Sequence, residues 1–226
     1  MRTESNNNLW IRRYREKEAF WIHDGNPKRP HALLTSDKHS NGFFNSRLII
    51  KDEVLLHECA LALVELVTIF GLNIEGVDRV VGPKTGATTL ATLISERIGE
   101  LRGYPCEWAS PAKHGEGKNK RMVFESDDHR VHPGERVLLC EDVSTTFGSL
   151  ELTSDAVTEA RGVLLPFALL LVNRSSPLRT TVNGQTIVSL IEHEMPIWAP
   201  DECPLCKLGS KALRPKDNWA ALTAAY

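Results

Sequence analysis

Apolar, strand-like segments alternate with helical patterns through the middle of the chain, and this alternation constrains the fold more than any other feature. Four segments have the apolar character of strands: 77–81, 106–110, 136–143 and 163–172. Helical patterns follow the first and third of them, over 89–98 and 149–161. Strands that alternate with helices are typical of a parallel sheet covered by helices. We therefore predict an α/β fold, with 163–172 as its most buried strand.

The regions outside this alternation predict two more helices and two irregular segments. Residues 9–23 have an amphipathic helical pattern. Residues 53–70 are apolar over most of a helical surface and stop at Gly71, a common signal for a helix end. Residues 27–47 predict a loop or a short hairpin, and the proline-rich segment from Met195 onward predicts an irregular cover.

Charge, hydropathy and cysteine content limit the class of partner. The 226 residues include 27 Lys and Arg against 29 Asp and Glu, a net charge of −2 that gives no reason to propose nucleic acid or an anionic membrane. No apolar segment approaches the ~20 residues of a membrane-spanning helix, and the charged N-terminus has no apolar signal core. Five scattered cysteines fit a reduced protein better than a disulfide framework. We expect a cytoplasmic protein.

An acidic pair and a hydroxyl-rich turn end the strand at 136–143. Glu141 and Asp142 are adjacent acids, and residues 144–149 carry hydroxyls and glycine just before a predicted helix. The N-terminus of a helix favours anions, because its backbone N–H groups are free and its dipole is positive there. A ligand with a phosphate at one end and hydroxyls or a metal at the other would use both features.

Two other loops follow predicted strands, where ligands of open parallel sheets bind. The turn GPKTGA, 82–87, combines two glycines with Lys84, which suits an anion. The segment NRSS, 173–176, carries Arg174, whose guanidinium can fork onto a carboxylate. Each loop alone has an ordinary explanation, a tight turn or a surface ion pair. Together with the acids they indicate a sugar phosphate that carries a diphosphate and Mg²⁺.

These stretches occur in the order found in the type I phosphoribosyltransferases, and the chain resembles that family. VLLCEDVSTTFGS (137–149) is similar to the signature with which the family binds 5-phosphoribosyl-1-diphosphate (PRPP). Within the family the chain looks most like the orotate branch. The stretches that support this resemblance are LLTSDKHSNGFFN, VVGPKTGATTLA, KHGEGKNKRMVF, LVNRSS and CPLCKLG. The resemblance implies a single domain with a Rossmann-like parallel sheet flanked by helices. Its core would span about 52–192, and a hood would be built from about 1–51 and 193–226.

The resemblance also implies a reaction and its residues. PRPP and orotate would give orotidine 5′-monophosphate and pyrophosphate, with Mg²⁺ held through the diphosphate and water rather than by a dedicated set of protein ligands. The implied catalytic residues are Lys113, His114, Glu141 and Asp142. The implied PRPP-binding residues are Lys84, Thr85, Gly86, Lys118, Ser144, Thr145, Thr146, Phe147, Gly148 and Ser149. The implied orotate-binding residues are Phe43, Phe44, Thr145 and Arg174. The mobile segment 112–120 would act as a lid on the partner site of a homodimer.

Some positions depart from the family pattern. Phe147 stands where the family usually has a small residue, often glycine. Thr35 stands where many orotate enzymes have lysine, and Asp37 stands where they have glycine. Ala112 stands where some members have the catalytic lysine, and Lys113 is one position further on. Two alternatives therefore stay open: a phosphoribosyltransferase for another base such as a purine, and a non-catalytic PRPP-binding regulator on the same fold.

The pair Cys203 and Cys206 has the CxxC spacing of half a zinc site. A structural zinc needs four ligands, and no second CxxC occurs in the chain. We therefore interpret the pair as a structural or occasionally oxidised pair rather than a metal site. His39, His57 and His193 show no metal-binding spacing, and we interpret them as packing or surface residues.

Overall fold

A parallel sheet forms the centre of the structure. The computed structural model describes residues 4–226, with the side chains from residue 7 onward except that of residue 118. Within these residues the central sheet has six strands, which are numbered along the chain. Their spatial order is β11 (Thr181–Val182), β12 (Gln185–Glu192), β10 (Val163–Asn173), β9 (Arg136–Ser144), β5 (Arg79–Val81) and β6 (Glu107–Ala109). All neighbours pair in parallel except β11 with β12. The predicted α/β fold is confirmed.

Helices cover both faces of this sheet. On one face lie α1 (Glu4–Glu16), α3 (Glu53–Ile69) and α4 (Thr88–Arg102), and on the other lies α5 (Gly148–Glu159). Successive residues of a strand point to opposite faces. Accordingly Leu138 of β9 packs in the core under α3 and α4, whereas Leu139 packs in the core under α5. Both cores are therefore built from the same central strands.

The helix predicted over 53–70 is confirmed, and its ends have clear causes. Asp52 caps the N-terminus of α3 by accepting a hydrogen bond from the Leu55 N–H at 3.0 Å. Gly71 follows the helix with a φ of 101°, a conformation that glycine adopts at little cost.

A second layer lies over the carboxyl ends of the central strands. In the described part of the chain it contains a four-stranded sheet, which we call the hood sheet, in the order β13 (Ile197–Trp198), β3 (His39–Ser40), β2 (His31–Leu33) and β14 (Ala212–Leu213). Beside it are the ribbon of β1 (Phe20–Ile22) with β4 (Gly42–Phe44), and the helices α2 (Ser46–Ile50), α6 (Pro204–Lys207) and α7 (Pro215–Thr223). Strands β7 (Ala112–His114) and β8 (Arg121–Val123) form a separate hairpin.

Two sequence predictions were wrong in part. The helix predicted over 9–23 ends at Glu16, because Trp21 pairs with Phe43 across β1 and β4 and is buried there. The strand predicted over 163–172 is buried only in its second half. Its first half carries Pro166, shifts register against β9 between Leu164 and Ala168, and is only partly buried, with Val163 and Pro166 exposed. Proline has no N–H to donate, so it suits such an irregularity.

None of the helices among the described residues has both the length and the apolar character required to cross a bilayer.

The two halves of β10 predict opposite sensitivities to truncation. Leu169 is fully buried, and Leu169→Ala should lower the free energy of unfolding by about 2–5 kcal/mol through lost burial and a cavity. Val163 is 52% exposed, so Val163→Ala, the matched control on the same strand, should cost less than about 1 kcal/mol. Urea unfolding measures both values. Equal costs would contradict the burial described for this strand.

Candidate active site

A cleft of about 810 Å³ opens at the carboxyl ends of the central strands, beneath the hood sheet. The loops after β5, β9 and β10 form its floor, and β4, α2 and the start of α7 form its other wall. Most residues predicted from the sequence line this one cleft: Phe43, Phe44, Lys84, Thr85, Gly86, Lys113, Glu141, Asp142, Ser144, Thr145, Thr146, Phe147, Gly148, Ser149 and Arg174. His114 does not line it, and the side chain of Lys118 lies outside the described part of the structure.

The pairing of β9 with β10 brings the main loops together. Ser144 and Asn173, the last residues of the two strands, are partners in the parallel register. The backbone N–H of Arg174 donates to the Ser144 carbonyl at 2.9 Å. Arg174 is therefore fixed beside the first residue of the 144–149 turn.

The two adjacent acids differ in their environment. Glu141 is 6% exposed, and one of its carboxylate oxygens, Oε2, has no hydrogen-bond partner among the described residues. Burial and the adjacent Asp142 raise the pKa of Glu141 well above its usual value. Asp142 is half-buried and lies against the 82–87 turn, where a Cβ on Gly86 would be 3.0–3.1 Å from its carboxylate. Both acids line the cleft, and Glu141 keeps one buried acceptor atom without a partner among the described residues.

Arg174 is a buried cation with no carboxylate partner in the described structure. It is 1% exposed, and its Nη1 and Nη2 donate to the Gly42 carbonyl at 3.1 Å and to Ser40 Oγ at 2.7 Å. Its Nε has no partner among the described residues, and burial lowers its pKa to about 10. A guanidinium has five N–H donors, so three have no partner among the described residues. The surface ion pair considered as its ordinary explanation is therefore excluded.

The 144–149 turn, which we call the phosphate loop, leads into α5. Phe147 precedes this helix with a φ of 66°, and no side chain caps the helix N-terminus. The first N–H groups of a helix have no acceptor within it. Gly148 and Ser149, which begin α5, line the cleft, so these donors are directed towards any ligand in it. The loop is arranged to bind an anion.

The conformation of Phe147 explains its departure from the family pattern. A positive φ is easiest for glycine and costs another residue roughly 1–2 kcal/mol. The Phe147 side chain turns away from solvent into the core under α5, where it is 1% exposed, and Arg179 lies 4.7 Å from the centre of its ring. Burial of the ring offsets the backbone strain, and the loop keeps the conformation that glycine would allow.

Glu125 joins two side chains, Lys84 and His114, that were predicted from the sequence to act in the site. Lys84 Nζ and His114 Nε2 each lie 2.8 Å from one of its carboxylate oxygens. These hydrogen bonds, that of Lys84 first, lower the pKa of Glu125. Glu125 comes just after β8 and was missed, since a single exposed acid gives no sequence signal. It pairs with two side chains that an anionic ligand would otherwise meet.

The predicted lid is an ordered hairpin in the structure, which we call the lid hairpin, residues 112–123. Strands β7 and β8 pair from Ala112↔Val123 to His114↔Arg121. Gly115 at its tip has a φ of 73°, and a Cβ there would be 2.3 Å from the Asn119 carbonyl, so the turn requires glycine. Lys113 Nζ lies 3.5 Å from Ser149 Oγ of the same chain. The hairpin thus places one lysine at the mouth of this chain's own cleft.

The two phenylalanines of the FFN stretch have different surroundings. Both border the cleft, but the Phe44 ring is buried, stacked 4.4 Å from the ring of Phe20 and edge-on to Tyr14 at 5.5 Å. The Phe43 ring lies 6.0 Å from the guanidinium carbon of Arg174. Neighbouring residues of a strand face opposite sides, so only Phe43 presents its ring on the side of Arg174. Of the two implied orotate-binding phenylalanines, Phe43 is therefore the one beside Arg174, and Phe44 packs in the core.

Several basic residues of the cleft were missed by the sequence analysis: Arg47, Lys51, Arg214 and Lys216. Arg47 follows the FFN stretch closely and could have been suspected from that position. Arg214 and Lys216 come from the segment predicted as an irregular cover, and only the fold brings α7 to the cleft. They add positive charge around a site for an anionic ligand.

The buried state of Glu141 predicts a stabilising substitution. The pKa of Glu141 is higher in the folded than in the unfolded state. Its contribution to the free energy of unfolding is therefore fully present below the unfolded pKa of about 4.5, and it is lost as the pH rises through the folded-state pKa. Glu141→Gln cannot ionise, so its melting temperature should exceed that of the wild type at pH 8 and match it near pH 4. Thermal melts across pH measure this difference. Glu107→Gln, at an exposed position on β6, is the control, and a destabilised Glu141→Gln at pH 8 would contradict the assignment.

Comparison with known proteins finds relatives that share one activity. No protein-family model matches the chain. Orotate phosphoribosyltransferase of Pelotomaculum thermopropionicum is 30% identical over 189 residues, which cover 82% of this chain and 87% of the relative. That of Nitratiruptor sp. is 28% identical over 211 residues, 88% of this chain and 96% of the relative.

Solved structures agree with the fold. Orotate phosphoribosyltransferase from Aeropyrum pernix superposes with a TM-score of 0.57 at 20% identity, over 80% of this chain and 92% of that one. Adenine phosphoribosyltransferase from Rhodothermus marinus superposes with a TM-score of 0.53 at 15% identity, over 82% and 99%. Phosphoribosyltransferases that act on different bases share this fold, so the fold does not identify the base. The sequence relatives are what distinguish the orotate enzymes from the others. On the identity and coverage of those relatives, the chain belongs to the orotate phosphoribosyltransferase family.

Proposed function

We propose that the protein transfers the phosphoribosyl group of PRPP to orotate, giving orotidine 5′-monophosphate and pyrophosphate. The observation that carries this proposal is the buried guanidinium of Arg174, which has free donors and no protein carboxylate, at the wall of a cleft that also contains an anion-binding loop. An unpaired buried charge is costly. A ligand carboxylate would compensate that cost, and orotate has one whereas uracil and the purines do not.

The base would bind between Arg174 and Phe43. The remaining N–H groups of Arg174 match the fork geometry of a carboxylate. The Phe43 ring lies beside them and can contact the flat pyrimidine. Ser40 and the Gly42 carbonyl orient the guanidinium by occupying two of its donors. Thr145, at the start of the phosphate loop, borders the same side of the cleft and supplies a hydroxyl.

The phosphoribosyl end would bind along the phosphate loop. The N-terminus of α5 and the hydroxyls of Thr145, Thr146 and Ser149 are donors for the 5′-phosphate. Glu141 and Asp142 would accept hydrogen bonds from the ribose hydroxyls, which would satisfy the Oε2 atom of Glu141 that lacks a partner. The strand end thus provides acceptors beside a loop of donors.

The diphosphate would lie between the 82–87 turn and the lid hairpin. Lys84 and Lys113 are the cations on these two segments that line the cleft. Binding would free Lys84 from Glu125 or place the diphosphate beside that pair. Mg²⁺ would be held through the diphosphate and water near Glu141 and Asp142, which suits carboxylate oxygens, and it would neutralise charge on the leaving group.

The arrangement suits the charges that develop during the transfer. As the bond from C1 of the ribose to the diphosphate breaks, positive charge grows on the ribose and negative charge on the leaving group. Glu141 and Asp142 stabilise the first, and Lys84 and Lys113 stabilise the second. Closure of the lid hairpin would exclude water and so prevent hydrolysis of PRPP.

We also propose the wider organisation expected of such an enzyme: one cytoplasmic phosphoribosyltransferase domain, with a core at about 52–192 and a hood from about 1–51 and 193–226, that works as a homodimer. In the dimer the lid hairpin would reach the partner site, with His114 and Lys118 near the diphosphate.

A base panel with an arginine variant tests the assignment. The wild type with PRPP and Mg²⁺ should release pyrophosphate with orotate, and far more slowly with uracil or adenine. Arg174→Lys keeps the charge but loses the fork, so its KM for orotate should rise at least about tenfold, from the loss of about 1.5–3 kcal/mol of charge-assisted hydrogen bonding. Its KM for PRPP should barely change, because the phosphate loop lies on another strand.

The control is Arg136→Lys, which changes an arginine of the same sheet that pairs with Asp78 outside the cleft. Thermal melts exclude a folding defect. Equal use of adenine and orotate by the wild type would favour a purine enzyme. PRPP binding without pyrophosphate release from any base would favour the regulator.

The lid hairpin should become protected when PRPP and Mg²⁺ bind. Its tip is exposed, and its sequence carries the trypsin sites Lys113, Lys118, Lys120 and Arg121. Limited trypsin digestion should cleave it readily in the free protein and at least several-fold more slowly with both ligands. Mg²⁺ alone is the control. The same cleavage rate with and without PRPP would rule out closure over the diphosphate.

A further inference from the structure

Four potential metal ligands from distant parts of the sequence converge within the hood. His31 lies on β2 and His39 on β3, while Cys203 precedes α6 and Cys206 lies within it. One donor atom from each residue lies within 4.8 Å of the donor atoms of the other three. Three of the residues are buried, Cys206 is half-buried, and none lines the cleft. The cluster is therefore separate from the proposed active site.

The distances between the donor atoms match the edges of a zinc tetrahedron. Zn–N bonds of about 2.0–2.1 Å and Zn–S bonds of about 2.3 Å place two nitrogens about 3.3 Å apart, and nitrogen and sulfur about 3.5–3.6 Å apart. In this cluster His31 Nε2 and His39 Nδ1 are 3.0 Å apart. Cys206 Sγ lies 3.5 Å from His31 Nε2 and 3.3 Å from His39 Nδ1, and Cys203 Sγ lies 3.6 Å from His31 Nε2.

The outer contacts fix His31 in the form that binds a metal. Ser210 donates its hydroxyl proton to the Arg29 carbonyl at 2.6 Å, so its oxygen accepts from His31 Nδ1 at 2.9 Å. The proton is then on Nδ1, and Nε2 directs a lone pair at the other three ligands. A hydrogen bond of this kind to the outer nitrogen is usual for metal-binding histidines.

We propose that His31, His39, Cys203 and Cys206 bind a structural zinc ion that fastens the C-terminal segment to the hood sheet. Two thiolates and two imidazoles in a tetrahedron are typical of zinc, and four protein ligands leave no open position for a substrate. The interpretation of Cys203 and Cys206 as a pair without metal, and of His39 as a packing residue, is replaced. The missing half of the site comes from a β-hairpin more than 160 residues earlier.

The zinc would also support the wall of the cleft. His39 is followed by Ser40, whose hydroxyl accepts from Arg174 and donates to the Pro196 carbonyl at 2.8 Å. Fixing β3 to α6 therefore fixes a partner of Arg174. The metal site itself does not depend on the proposed reaction, because its ligands and its test involve neither PRPP nor a base.

Metal analysis of the whole protein tests the proposal. Wild type made in zinc-supplemented medium and purified under reducing conditions should contain about one zinc per chain. Cys203→Ser with Cys206→Ser should abolish this content. The controls are Cys106→Ser, a buried thiol elsewhere, and His57→Gln, an exposed histidine, and both should keep the zinc. A chelator strong enough to remove the zinc should lower the melting temperature of the wild type, but not that of the double variant.

Cobalt(II) gives a second readout that does not require the variants to fold. Wild type loaded with cobalt should show thiolate-to-cobalt charge-transfer absorption and the intense visible bands of a four-coordinate ion. Zinc below about a tenth of an equivalent, with no cobalt bands after loading, would overturn the proposal in favour of a metal-free hydrogen-bonded cluster. A Cys203–Cys206 disulfide that persists in reductant, or full zinc content in the double cysteine variant, would also overturn it.

Discussion

The parallel pairing of β9 with β10 is the constraint on which the rest of the site depends. In this register the two strands end at the same level, because their last residues, Ser144 and Asn173, are partners. The backbone N–H of Arg174 then donates to the Ser144 carbonyl. The acids therefore lie just below the phosphate loop, and the guanidinium lies beside it. Helices cover β9 on both faces, so most of the strand is buried in an apolar core. Its carboxyl end is where its polar side chains first lie outside that core. The hood sheet closes over this point and converts it into a cleft.

The cleft contains charges that the protein alone does not satisfy. Burial raises the pKa of Glu141 and lowers that of Arg174 to about 10, which is the direction expected when each charged form loses water. Both side chains keep an atom without a partner in the described structure. Such groups cost stability unless a ligand pairs with them. Phe147 adds backbone strain that its buried ring offsets. Groups that prepare such a site for its ligand lower the free energy of unfolding of the protein without ligand.

The sequence predicted four of the six central strands, β5, β6, β9 and β10, because they are apolar, and it predicted α4 and α5 from their helical patterns. It missed β11 and β12. It also predicted the loops of the cleft, since Lys84 and Arg174 each follow a strand and the Glu141–Asp142 pair lies near the end of one. It predicted the hood sheet only in part: the hairpin considered over 27–47 contains β2 and β3, but it could not predict β13 and β14, which have two residues each and no measurable period. Nor could it find Glu125 between Lys84 and His114, or the approach of His31 and His39 to Cys203, because those contacts join distant segments. The sequence also could not show that Phe43 and Phe44 have different surroundings, because that depends on which face of β4 each ring lies on.

The central claim is that one ligand spans the cleft, with its carboxylate at Arg174 and its phosphate at the start of α5. A crystal structure of the protein with orotidine 5′-monophosphate tests this most directly, because that molecule carries both groups. We predict its carboxylate within hydrogen-bond distance of the Arg174 guanidinium, its ribose hydroxyls at Glu141 and Asp142, and its phosphate on the backbone of residues 145–149. A phosphate bound elsewhere, or a base whose carboxylate points away from Arg174, would contradict the account.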